Sequence, residues 1–318
     1  MNVLVVGLGG VGGFLGVKLA DAYRGWDRHK VFFLAKGPYL RAVLREGITL
    51  VSDGGSTTVR PFSAREEAQA WPPMDLVLLC VKGQDLQGAL ESVRPVVTPR
   101  SVILPLQNGI GKRLLVEETF PRAVVADGAV YVFAHIASPG VILHVGGPGR
   151  VVWGRDPGDQ KSLQPYHELL LGAGIRAELV PRADTEVWGK FVVLAAIAGT
   201  TALYGETVGQ VMADPEKVEL IRGLMEEVAG LGRASGVPLA HDLPERSMEL
   251  ARGFPPDGKS SLLHDLEAGR PSELDWLLGR AVELGQSLGV EVPLLRKVYQ
   301  GIVSRWFGAR SGTLGPKG

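Results

Sequence analysis

A glycine-rich segment near the amino terminus constrains the fold of this chain more than any other feature. The sequence GLGGVG at residues 7–12 directly follows the apolar, β-branched run Asn2–Val6 and leads into residues 14–22, whose apolar positions recur at helical spacing. A strand, a glycine turn and a helix in this order form the unit that binds the pyrophosphate of a dinucleotide at the helix N-terminus. The segment therefore predicts a dinucleotide-binding domain.

The glycines of this turn have separate expected roles. Gly7 would permit the tight turn, Gly9 the close approach of a phosphate to the backbone, and Gly12 the contact between helix and strand. A purely structural turn is the alternative, because the chain contains 43 glycines. The residues of the turn expected to contact a cofactor are Gly7, Leu8, Gly9, Gly10, Val11 and Gly12.

The end of the predicted second strand indicates which dinucleotide is bound. A chain that prefers NAD places an acidic residue there, about 20 residues after the motif, to accept hydrogen bonds from the ribose hydroxyls. The sequence VFFLAKG instead places Ala35 at this point and Lys36 beside it. A cation suits the additional phosphate of NADP, so we expect NADP(H), although Lys36 could also be an ordinary loop lysine.

Strands and helices alternate through the first part of the chain. The expected strands are Asn2–Val6, Val31–Leu34, Met74–Val81 and Ser101–Leu106, with helices at residues 39–45 and 84–93. This pattern predicts an α/β fold with a Rossmann-type, doubly wound parallel sheet. Between residue 123 and about residue 180, glycines and prolines separate shorter strands that would extend or flank this sheet, namely Val141–Val145, Val151–Trp153 and Ala177–Val180.

The pattern becomes entirely helical after Arg182. Helices are expected at residues 186–203, 215–235, 261–268, 272–288 and 293–307, and Asp214, Gly236 and Gly289 stand at expected helix caps. A chain of 318 residues also exceeds the roughly 250–300 at which a single core stops growing. We therefore expect a Rossmann-type NADP-binding domain at residues 1–182, an all-helical substrate and dimerisation domain at 183–310, and a flexible tail at 311–318.

Composition excludes several classes of function. Basic and acidic residues both number 34, which leaves no basic field for nucleic acid. Cys80 is the only cysteine and the histidines lack metal-ligand spacing, so we expect a cytoplasmic protein without a metal. The most apolar segment, Val187–Leu203, is interrupted by Lys190 and is shorter than the roughly 20 residues that span a bilayer, so no membrane partner is expected.

Two polar residues follow predicted strands of the parallel sheet. Lys82 follows the strand that ends at Val81, and Asn108 follows the strand that ends at Leu106. The carboxyl ends of parallel strands are where open α/β sheets bind ligands, so both are candidates for a binding site. Each could also be a polar turn residue, Asn108 especially, because Asn-Gly is a common turn dipeptide.

Lys190 is the strongest candidate for a catalytic group. It is the only charged residue between Glu186 and Glu206 and stands near the start of the most apolar helix. An apolar surrounding disfavours the charged form of a lysine and brings its pKa closer to the range in which it exchanges a proton. A lysine that extends from the helix end into water is the alternative.

Ser261 and Glu273 have local structural explanations as well. Ser260 or Ser261 can cap the helix that follows, and Glu273 can stand in the first turn of the next helix, where a carboxylate is favourable. Their assignment to a site therefore rests on the larger pattern to which they belong.

That larger pattern resembles the ketopantoate reductase family, also called the 2-dehydropantoate 2-reductases. The matching segments, in the family's order, are GLGGVGG at residues 7–13, LCVKGQD around Lys82, LPLQNGIG around Asn108, EVWGKF around Lys190 and SSLLHDLEAGRPSELD at residues 260–275. The first is generic to dinucleotide-binding folds, whereas the set together is specific and spans nearly the whole chain. The resemblance implies a Rossmann domain, a helical domain and an active site in the cleft between them.

The resemblance also implies roles for individual residues. Lys190 would be the general acid that protonates the carbonyl oxygen while NADPH delivers hydride, and Glu273 would contact the substrate oxygen and the cofactor and help to orient Lys190. Asn108 would position substrate and nicotinamide, and Ser261 would hold the substrate carboxylate. Lys36 would replace the usual arginine at the NADP phosphate, and Lys82 would lie beside the cofactor.

The chain departs from the family pattern on the helix of Lys190. The family commonly has asparagines one and two turns after the lysine, where this chain has Leu194 and Ala198. Gly199 replaces a frequent proline, and Leu262 replaces a frequent methionine. A more apolar wall would favour a different or more hydrophobic 2-oxo acid.

The expected function is NADPH-dependent reduction of a 2-oxo acid, with ketopantoate, on the route to pantothenate, as the first candidate. One alternative is a related two-domain NADP-dependent dehydrogenase that acts on another hydroxy acid, a sugar acid or an imine. The other is a non-catalytic, NADP-binding redox sensor. The partner in each case is a small molecule, and a homodimer is left open, because Leu277, Leu278 and Leu284 could line a core or an interface.

Overall fold

The computed structural model describes residues 1–25, 28–155 and 160–308. The chain divides into two compact units, Met1–Val187 and Trp188–Gly318. Arg182, where we expected the boundary, directly precedes a helix, Ala183–Tyr204, that runs across the border between the units. The expected flexible tail, residues 311–318, lies outside the described residues, as do residues 309 and 310.

The first unit contains the strands and five of the described helices. The strands are β1 (Asn2–Val6), β2 (Lys30–Leu34), β3 (Ile48–Ser52), β4 (Gly55–Val59), β5 (Ser63–Arg65), β6 (Leu76–Leu79), β7 (Val102–Pro105), β8 (Val124–Val125), β9 (Asp127–Ser138), β10 (Val141–Gly154) and β11 (Arg176–Leu179). The helices of this unit are α1 (Gly10–Ala22), α2 (Gly37–Glu46), α3 (Leu86–Val93), α4 (Lys112–Thr119) and α5 (Gln164–Gly172).

Six strands form the predicted parallel sheet. Their order is β5-β2-β1-β6-β7-β8, and every neighbouring pair is parallel, which confirms the α/β prediction. Strands β6 and β7 are apolar and buried throughout, as expected for a parallel sheet covered on both faces. The chain leaves β1 towards β2 and later returns to the other side of β1 with β6. This change of direction opens a crevice at the carboxyl ends of the strands.

The later strands form a second sheet instead of extending the first. Its order is β11-β10-β3-β4, and β9 pairs with β10 in antiparallel register. The predicted strands Val141–Val145 and Val151–Trp153 are two parts of the single strand β10. Gly146, Gly147 and Gly149 have positive φ and interrupt the register with β9, so a glycine-rich irregularity within one strand looked like a turn in the sequence.

Helix α1 lies between the two sheets. It contacts β1 and β2 of the first sheet and β3, β4, β9 and β10 of the second. Most of its residues, from Gly12 to Ala20, are therefore buried on whichever side of the helix they lie. Because both sheets cover α1, apolar residues and glycines occupy most of its surface. The glycine turn at its start therefore lies close to both sheets.

The second unit is helical, as predicted. Its helices are α6 (Ala183–Tyr204), which begins in the first unit, α7 (Val208–Met212), α8 (Pro215–Ala234), α9 (Leu243–Arg252), α10 (Ser261–Glu267), α11 (Arg280–Leu288) and α12 (Pro293–Phe307). Helices α7 and α9 were not predicted. The helix expected at residues 272–288 contains a π-helical turn, Asp275–Gly279, before α11.

The predicted helix caps of this unit are confirmed. Asp214 accepts hydrogen bonds from the backbone N–H groups of Glu216 at 3.0 Å and Lys217 at 3.4 Å. Gly236 and Gly289 follow helices α8 and α11 with φ of +82° and +66°, the left-handed conformation that ends a helix. Leu277 and Leu278 are fully buried in this unit, so they belong to its core.

Helix α6 is longer than the apolar segment suggested. Its 22 residues are long and apolar enough to cross a membrane by length and composition alone, so the argument from length does not hold. However, 72% of its most apolar stretch is buried inside the protein. Burial of this kind is typical of the core helix of a soluble protein, for which an apolar sequence is equally required.

Candidate active site

The carboxyl ends of four neighbouring strands meet at one edge of the first sheet. Val6 of β1 is aligned with Leu34 of β2 and Leu79 of β6, and Leu79 is aligned with Pro105 of β7. The segments that follow these strands carry the glycine turn, Lys36, Lys82 and Asn108. The structure thus brings the candidate residues of the first unit to one edge, as the order of strands and helices predicted.

Close packing explains three glycines of the turn. Gly7 has φ of +85°, and a Cβ atom there would lie 2.8 Å from Cγ1 of Val81. A Cβ atom on Gly12 would lie 1.9 Å from the carbonyl oxygen of Gly7, and one on Gly10 would lie 2.0 Å from the carbonyl oxygen of Ala134 in β9. Any side chain at these positions would therefore displace the backbone.

Gly9 differs from these three glycines. Its φ of −71° suits any residue, and no protein atom lies within 4 Å of the position that a Cβ atom would take. It is also the N-cap of α1, where serine or aspartate would stabilise the helix, yet no side chain caps α1 and no acidic residue stands in its first turn. The protein's own packing does not require glycine here, whereas a phosphate placed on the helix N-terminus would.

Two basic residues lie at the carboxyl ends of the neighbouring strands β2 and β5. Lys36 is exposed and is the N-cap residue of α2. Arg65, also exposed, is the last residue of β5 and pairs with Leu34, and the backbone N–H of Ala35 donates to its carbonyl oxygen at 3.1 Å. Arg65 was not predicted, because a three-residue strand far along the chain gives no signal that it neighbours β2.

The segment after β6 turns directly into a helix. Lys82 is exposed and is the N-cap of a short 3-10 turn, Gly83–Asp85, that leads into α3. Its carbonyl oxygen accepts a hydrogen bond from the backbone N–H of Asp85 at 3.0 Å. Lys82 therefore stands at the carboxyl edge of the sheet, and its neighbour Val81 lies against Gly7 of the glycine turn.

The segment after β7 is held by a buried glutamine. Nε2 of Gln107 donates to the carbonyl oxygens of Leu79 at 2.9 Å and Val81 at 3.1 Å, which ties the end of β7 to the end of β6. Asn108 follows, half-buried, and then Gly109 and Gly111 with φ of +88° and +77°. The turn interpretation of Asn-Gly is correct for the backbone and is compatible with a binding role for Asn108.

A buried ion pair stands just beyond this loop. Nζ of Lys112, the first residue of α4, lies 3.1 Å from Oδ1 of Asp127 at the start of β9. Only 2% of the lysine side chain and 10% of the aspartate side chain are exposed. No local pattern in the sequence indicates this pair, because it depends on the topology that brings β9 next to β7.

In the second unit, one face of α6 carries Lys190. Leu194, Ala198 and Thr201 follow at intervals of four, four and three residues and so share that face. Lys190 and Leu194 are half-buried, whereas Ala198 and Thr201 are buried. The face beyond the ammonium group is therefore apolar for two turns.

The loop before α10 is tied to the same face of α6. Oγ1 of Thr201 lies 2.9 Å from Oγ of Ser260, which is the N-cap of α10 and accepts a hydrogen bond from the backbone N–H of Leu263 at 3.2 Å. Ser260 therefore fills the capping role, and the exposed Ser261 is not needed for it. Thr201 was not predicted, because a threonine in an apolar helix gives no indication of its partner.

Glu273 lies two residues before the π-helical turn Asp275–Gly279. It is half-buried, and its carbonyl oxygen accepts a hydrogen bond from the backbone N–H of Leu277 at 2.8 Å. Extra-wide turns of this type occur often at functional sites. Lys190, Ser261 and Glu273 all belong to the second unit, whereas the glycine turn, Lys36, Lys82 and Asn108 belong to the first.

Packing accounts for two departures from the family pattern. A Cβ atom on Gly199 would lie 3.1 Å from Cγ1 of Val298 and 3.4 Å from Cδ1 of Leu278, so α12 and the π-helical turn approach α6 closely there. Leu262 is buried in the core of the second unit. Core packing does not explain the half-buried Leu194 in the same way.

Two further groups of the first unit have shifted pKa values. Desolvation raises the pKa of the Cys80 thiol to about 12, and Cys80 packs against Gly12. Burial, reinforced by the Glu186 carboxylate and opposed by the Arg150 guanidinium, raises the pKa of Tyr131 to about 12. Both groups therefore stay protonated near neutral pH and neither is an efficient proton donor.

Groups of metal ligands were sought throughout residues 1–25, 28–155 and 160–308. No three His, Cys, Asp or Glu side chains in these ranges are arranged to hold a metal ion.

Known families match both units. The family described as ketopantoate reductase PanE/ApbA matches residues 3–158, and the C-terminal domain of the same family matches residues 182–303. A 2-dehydropantoate 2-reductase of Mesorhizobium japonicum is 28% identical over 320 residues, covering 94% of this chain and 95% of that enzyme.

Solved structures share the fold over nearly the full length. A crystal structure of 2-dehydropantoate 2-reductase from Methylococcus capsulatus has a TM-score of 0.85 and 29% identity, and the match covers 99% of this chain and 100% of that one. A ternary structure of D-mandelate dehydrogenase with NADH and anilino(oxo)acetate has a TM-score of 0.86 and 18% identity, covering 98% of this chain and 100% of that one. At 18% identity, the second likeness shows a shared fold alone.

The packing of the glycine turn predicts effects of different size for two substitutions. Gly12→Ala should lower the free energy of unfolding by about 1–3 kcal/mol, because the new methyl group would overlap the backbone of Gly7. Gly9→Ser should change it by less than about 1 kcal/mol, because the side chain meets no protein atom and serine is a favourable N-cap. Urea denaturation of both variants measures the difference. Equal destabilisation would contradict the packing described for this turn.

Proposed function

Because the chain belongs to the ketopantoate reductase family, an oxidoreductase family that uses NAD(P), we propose that it is an NADPH-dependent reductase of a 2-oxo acid, with 2-dehydropantoate (ketopantoate) as its first candidate substrate. The observation that carries the proposal is the start of α1, where Gly9 is glycine without any packing reason and the helix has no side-chain cap. A dinucleotide phosphate accounts for both facts.

The residues at the edge of the first sheet suit NADPH. Backbone N–H groups from Gly9 to Gly12 would receive the pyrophosphate, and Lys82 would lie beside the cofactor. Lys36 and Arg65 would face the additional phosphate of the ribose, where an NAD-specific chain would have a carboxylate. When bound, NADPH supplies the hydride that the carbonyl carbon of the substrate accepts.

Lys190 is the proposed general acid. As the ketone becomes an alcohol, negative charge develops on the carbonyl oxygen, and an ammonium group placed there stabilises the transition state and donates the proton. The apolar face of α6 next to Lys190 excludes water from this proton transfer and strengthens its electrostatic interaction with the substrate. A new proton reaches the lysine from solvent after each turnover.

Three residues are proposed to hold the substrate. Ser261, whose neighbour Ser260 already caps α10, would donate a hydrogen bond to the substrate carboxylate. Asn108 would donate to the substrate from the loop after β7. Glu273 would contact the substrate oxygen and the cofactor and orient the ammonium group of Lys190.

A second substrate class is favoured by a specific observation. Leu194 is half-buried and leaves the face of α6 beside Lys190 without a polar side chain that could pair with a substrate hydroxyl. A hydroxyl group placed against such a face would lose its hydrogen bonds to water without replacement. Another 2-oxo acid with an apolar side chain is therefore the alternative substrate.

The form of the enzyme that we propose is a cytoplasmic homodimer. A dimeric ketopantoate reductase of Staphylococcus aureus has a similar fold, which supports the proposal at the level of architecture. Light scattering should give a mass near twice the 33.9 kDa of one chain. A mass of one chain at micromolar concentration would refute the dimer.

Turnover of defined substrates tests the proposed function. We expect loss of NADPH absorbance with ketopantoate, and less activity with pyruvate, 2-oxoisovalerate and bulkier 2-oxo acids, while NADH serves as the cofactor control. Faster turnover of a bulky apolar acid than of ketopantoate would establish the alternative substrate class. Tight NADPH binding without turnover of any 2-oxo acid would instead indicate a non-catalytic redox sensor.

Removal of the two edge cations should change the cofactor preference. Lys36→Glu should weaken NADPH binding at least tenfold and leave NADH binding within about twofold, because one charge pair with a phosphate is worth about 1.4 kcal/mol or more. Arg65→Ala should act in the same direction. Lys30→Glu is the matched control, since Lys30 stands at the opposite end of the same strand. Equal losses of affinity for NADPH and NADH would show that these residues do not bind the ribose phosphate.

Neutralising Lys190 should affect turnover far more than binding. Lys190→Met should lower kcat by about 10²–10⁴, the usual contribution of a general acid, with NADPH affinity unchanged. Lys297→Met replaces an exposed lysine of the same unit and should leave kcat unchanged. Stopped-flow measurement of a single turnover separates the chemical step from product release. A Lys190→Met enzyme with normal single-turnover rate would remove Lys190 from the acid role.

A further inference from the structure

The loop that carries Asn108 is held at both ends by buried polar side chains. On one side, Gln107 is buried and its side-chain N–H groups reach the carbonyl oxygens of Leu79 and Val81. On the other side, Lys112 and Asp127 form the buried ion pair. The four residues between these anchors, 108–111, contain the proposed substrate contact.

The ion pair is connected to the loop itself. Nζ of Lys112, besides pairing with Asp127, lies 3.4 Å from the carbonyl oxygen of Gly109, the residue that follows Asn108. Oδ1 of Asp127 also accepts a hydrogen bond from the backbone N–H of Gly128 at 2.8 Å, which fixes the carboxylate to the start of β9. The ammonium group thus joins the loop after β7 to a strand of the second sheet.

A gain in the free energy of folding does not explain why a buried ion pair occupies this position. Removing two charges from water costs several kcal/mol for each ion, and apolar side chains of similar volume often serve a folded state equally well or better. Lys112 also stands in the first turn of α4, where a positive charge opposes the helix dipole, and no acidic residue there compensates it. Burial of both charges therefore costs folding free energy, and the position of Lys112 in α4 does not offset that cost.

The backbone of the loop gains from a restraint beyond the burial of Ile110. Gly109 and Gly111 both have φ in the left-handed region, and Gly111 is the N-cap of α4 without a side-chain cap. Glycine has more accessible conformations than any other residue, so this backbone does not by itself hold Asn108 in one place. The lysine ammonium, with one end of the loop and one strand as its partners, supplies that restraint.

We propose that Lys112 and Asp127, together with Gln107, are positioning residues that hold Asn108 in the orientation required for reduction. The inference rests on the proposed function, in which Asn108 contacts the substrate. Lys112 and Asp127 act through Asn108 and not on the reacting atoms. A side chain misplaced by about 1 Å can cost about a hundredfold in rate, so the restraint has a measurable consequence.

The test removes both charges together, so that neither is left buried without its partner. Lys112→Met with Asp127→Asn gives a neutral double variant in which the new asparagine can still accept from Gly128. We expect kcat/KM for the 2-oxo acid to fall about ten- to a hundredfold, while NADPH binding at the glycine turn stays within about twofold.

A matched control lies at the other end of the same strand. Ser101 is fully buried directly before β7, and its hydroxyl donates to the carbonyl oxygen of Met74 at 2.6 Å. Ser101→Ala removes a buried polar contact as well, but at the end of the strand far from Asn108. It should lower the melting temperature without changing kcat/KM.

A mutant cycle distinguishes positioning from a structural role. If the ion pair acts through Asn108, adding Asn108→Ala to the double variant should lower kcat/KM no further than Asn108→Ala does alone. Multiplicative losses would overturn the proposal, and so would a double variant that matches Ser101→Ala in both activity and stability. An Asn108→Ala enzyme with normal activity would equally overturn it.

Hydrogen exchange gives a readout that does not depend on activity. Amides of residues 108–111 should exchange at least tenfold faster in the double variant than in the wild type or in Ser101→Ala. If the wild-type chain reduces no 2-oxo acid, the proposed function fails, yet faster exchange confined to this loop would still show that the pair restrains it. Unchanged exchange in the double variant would overturn the restraint itself.

Discussion

The first unit depends on the enclosure of helix α1 between two sheets. Because both sides of the helix are covered, the backbone at its start packs closely against the segments after β1 and β6 and against β9. Gly7, Gly10 and Gly12 permit this close packing, each against a different neighbour. Gly9 is the glycine of the turn at which the packing leaves room for a side chain. The same enclosure that makes the turn rigid thus presents one stretch of uncapped helix N-terminus at the carboxyl edge of the sheet, where an anion is favoured.

The edge of the sheet is ordered by buried polar contacts as well as by strand pairing. Gln107 joins the ends of β6 and β7, and Lys112 joins the following loop to β9. Such contacts contribute little net stability, since each group gives up its interactions with water, but they have few alternative geometries. Apolar residues in the same places could fill the volume and still allow the loop to slide. A defined orientation of Asn108 is the property that polar contacts provide and apolar packing does not.

The second unit uses a different combination of forces. Helix α6 is held by apolar packing along most of its length, which is close enough at Gly199 to require a glycine. Lys190 stands near its start, and the hydrogen bond between Thr201 and Ser260 ties the face of the lysine to the loop of Ser261. This hydrogen bond joins the helix of Lys190 to the start of α10, where Ser261 stands. The absence of polar side chains at positions 194 and 198 leaves substrate choice as the property most free to differ from that of the relatives.

The sequence by itself determined the parallel sheet, the helical second unit, the helix caps and the placement of Lys36, Lys82 and Asn108 at strand ends, because these follow from periodicities and caps that involve neighbouring residues. It did not indicate helices α4, α5, α7 and α9, none of which exceeds ten residues, and it made the internal glycines of strand β10 resemble a turn. It also missed Arg65, Thr201 and the Lys112–Asp127 pair. Each of these acquires its meaning from a partner distant in the chain: Arg65 from β2, Thr201 from Ser260, and Lys112 from the start of β9. Only the tertiary structure decided them, because a buried charge or hydroxyl has no local pattern until the fold brings its partner within hydrogen-bonding distance.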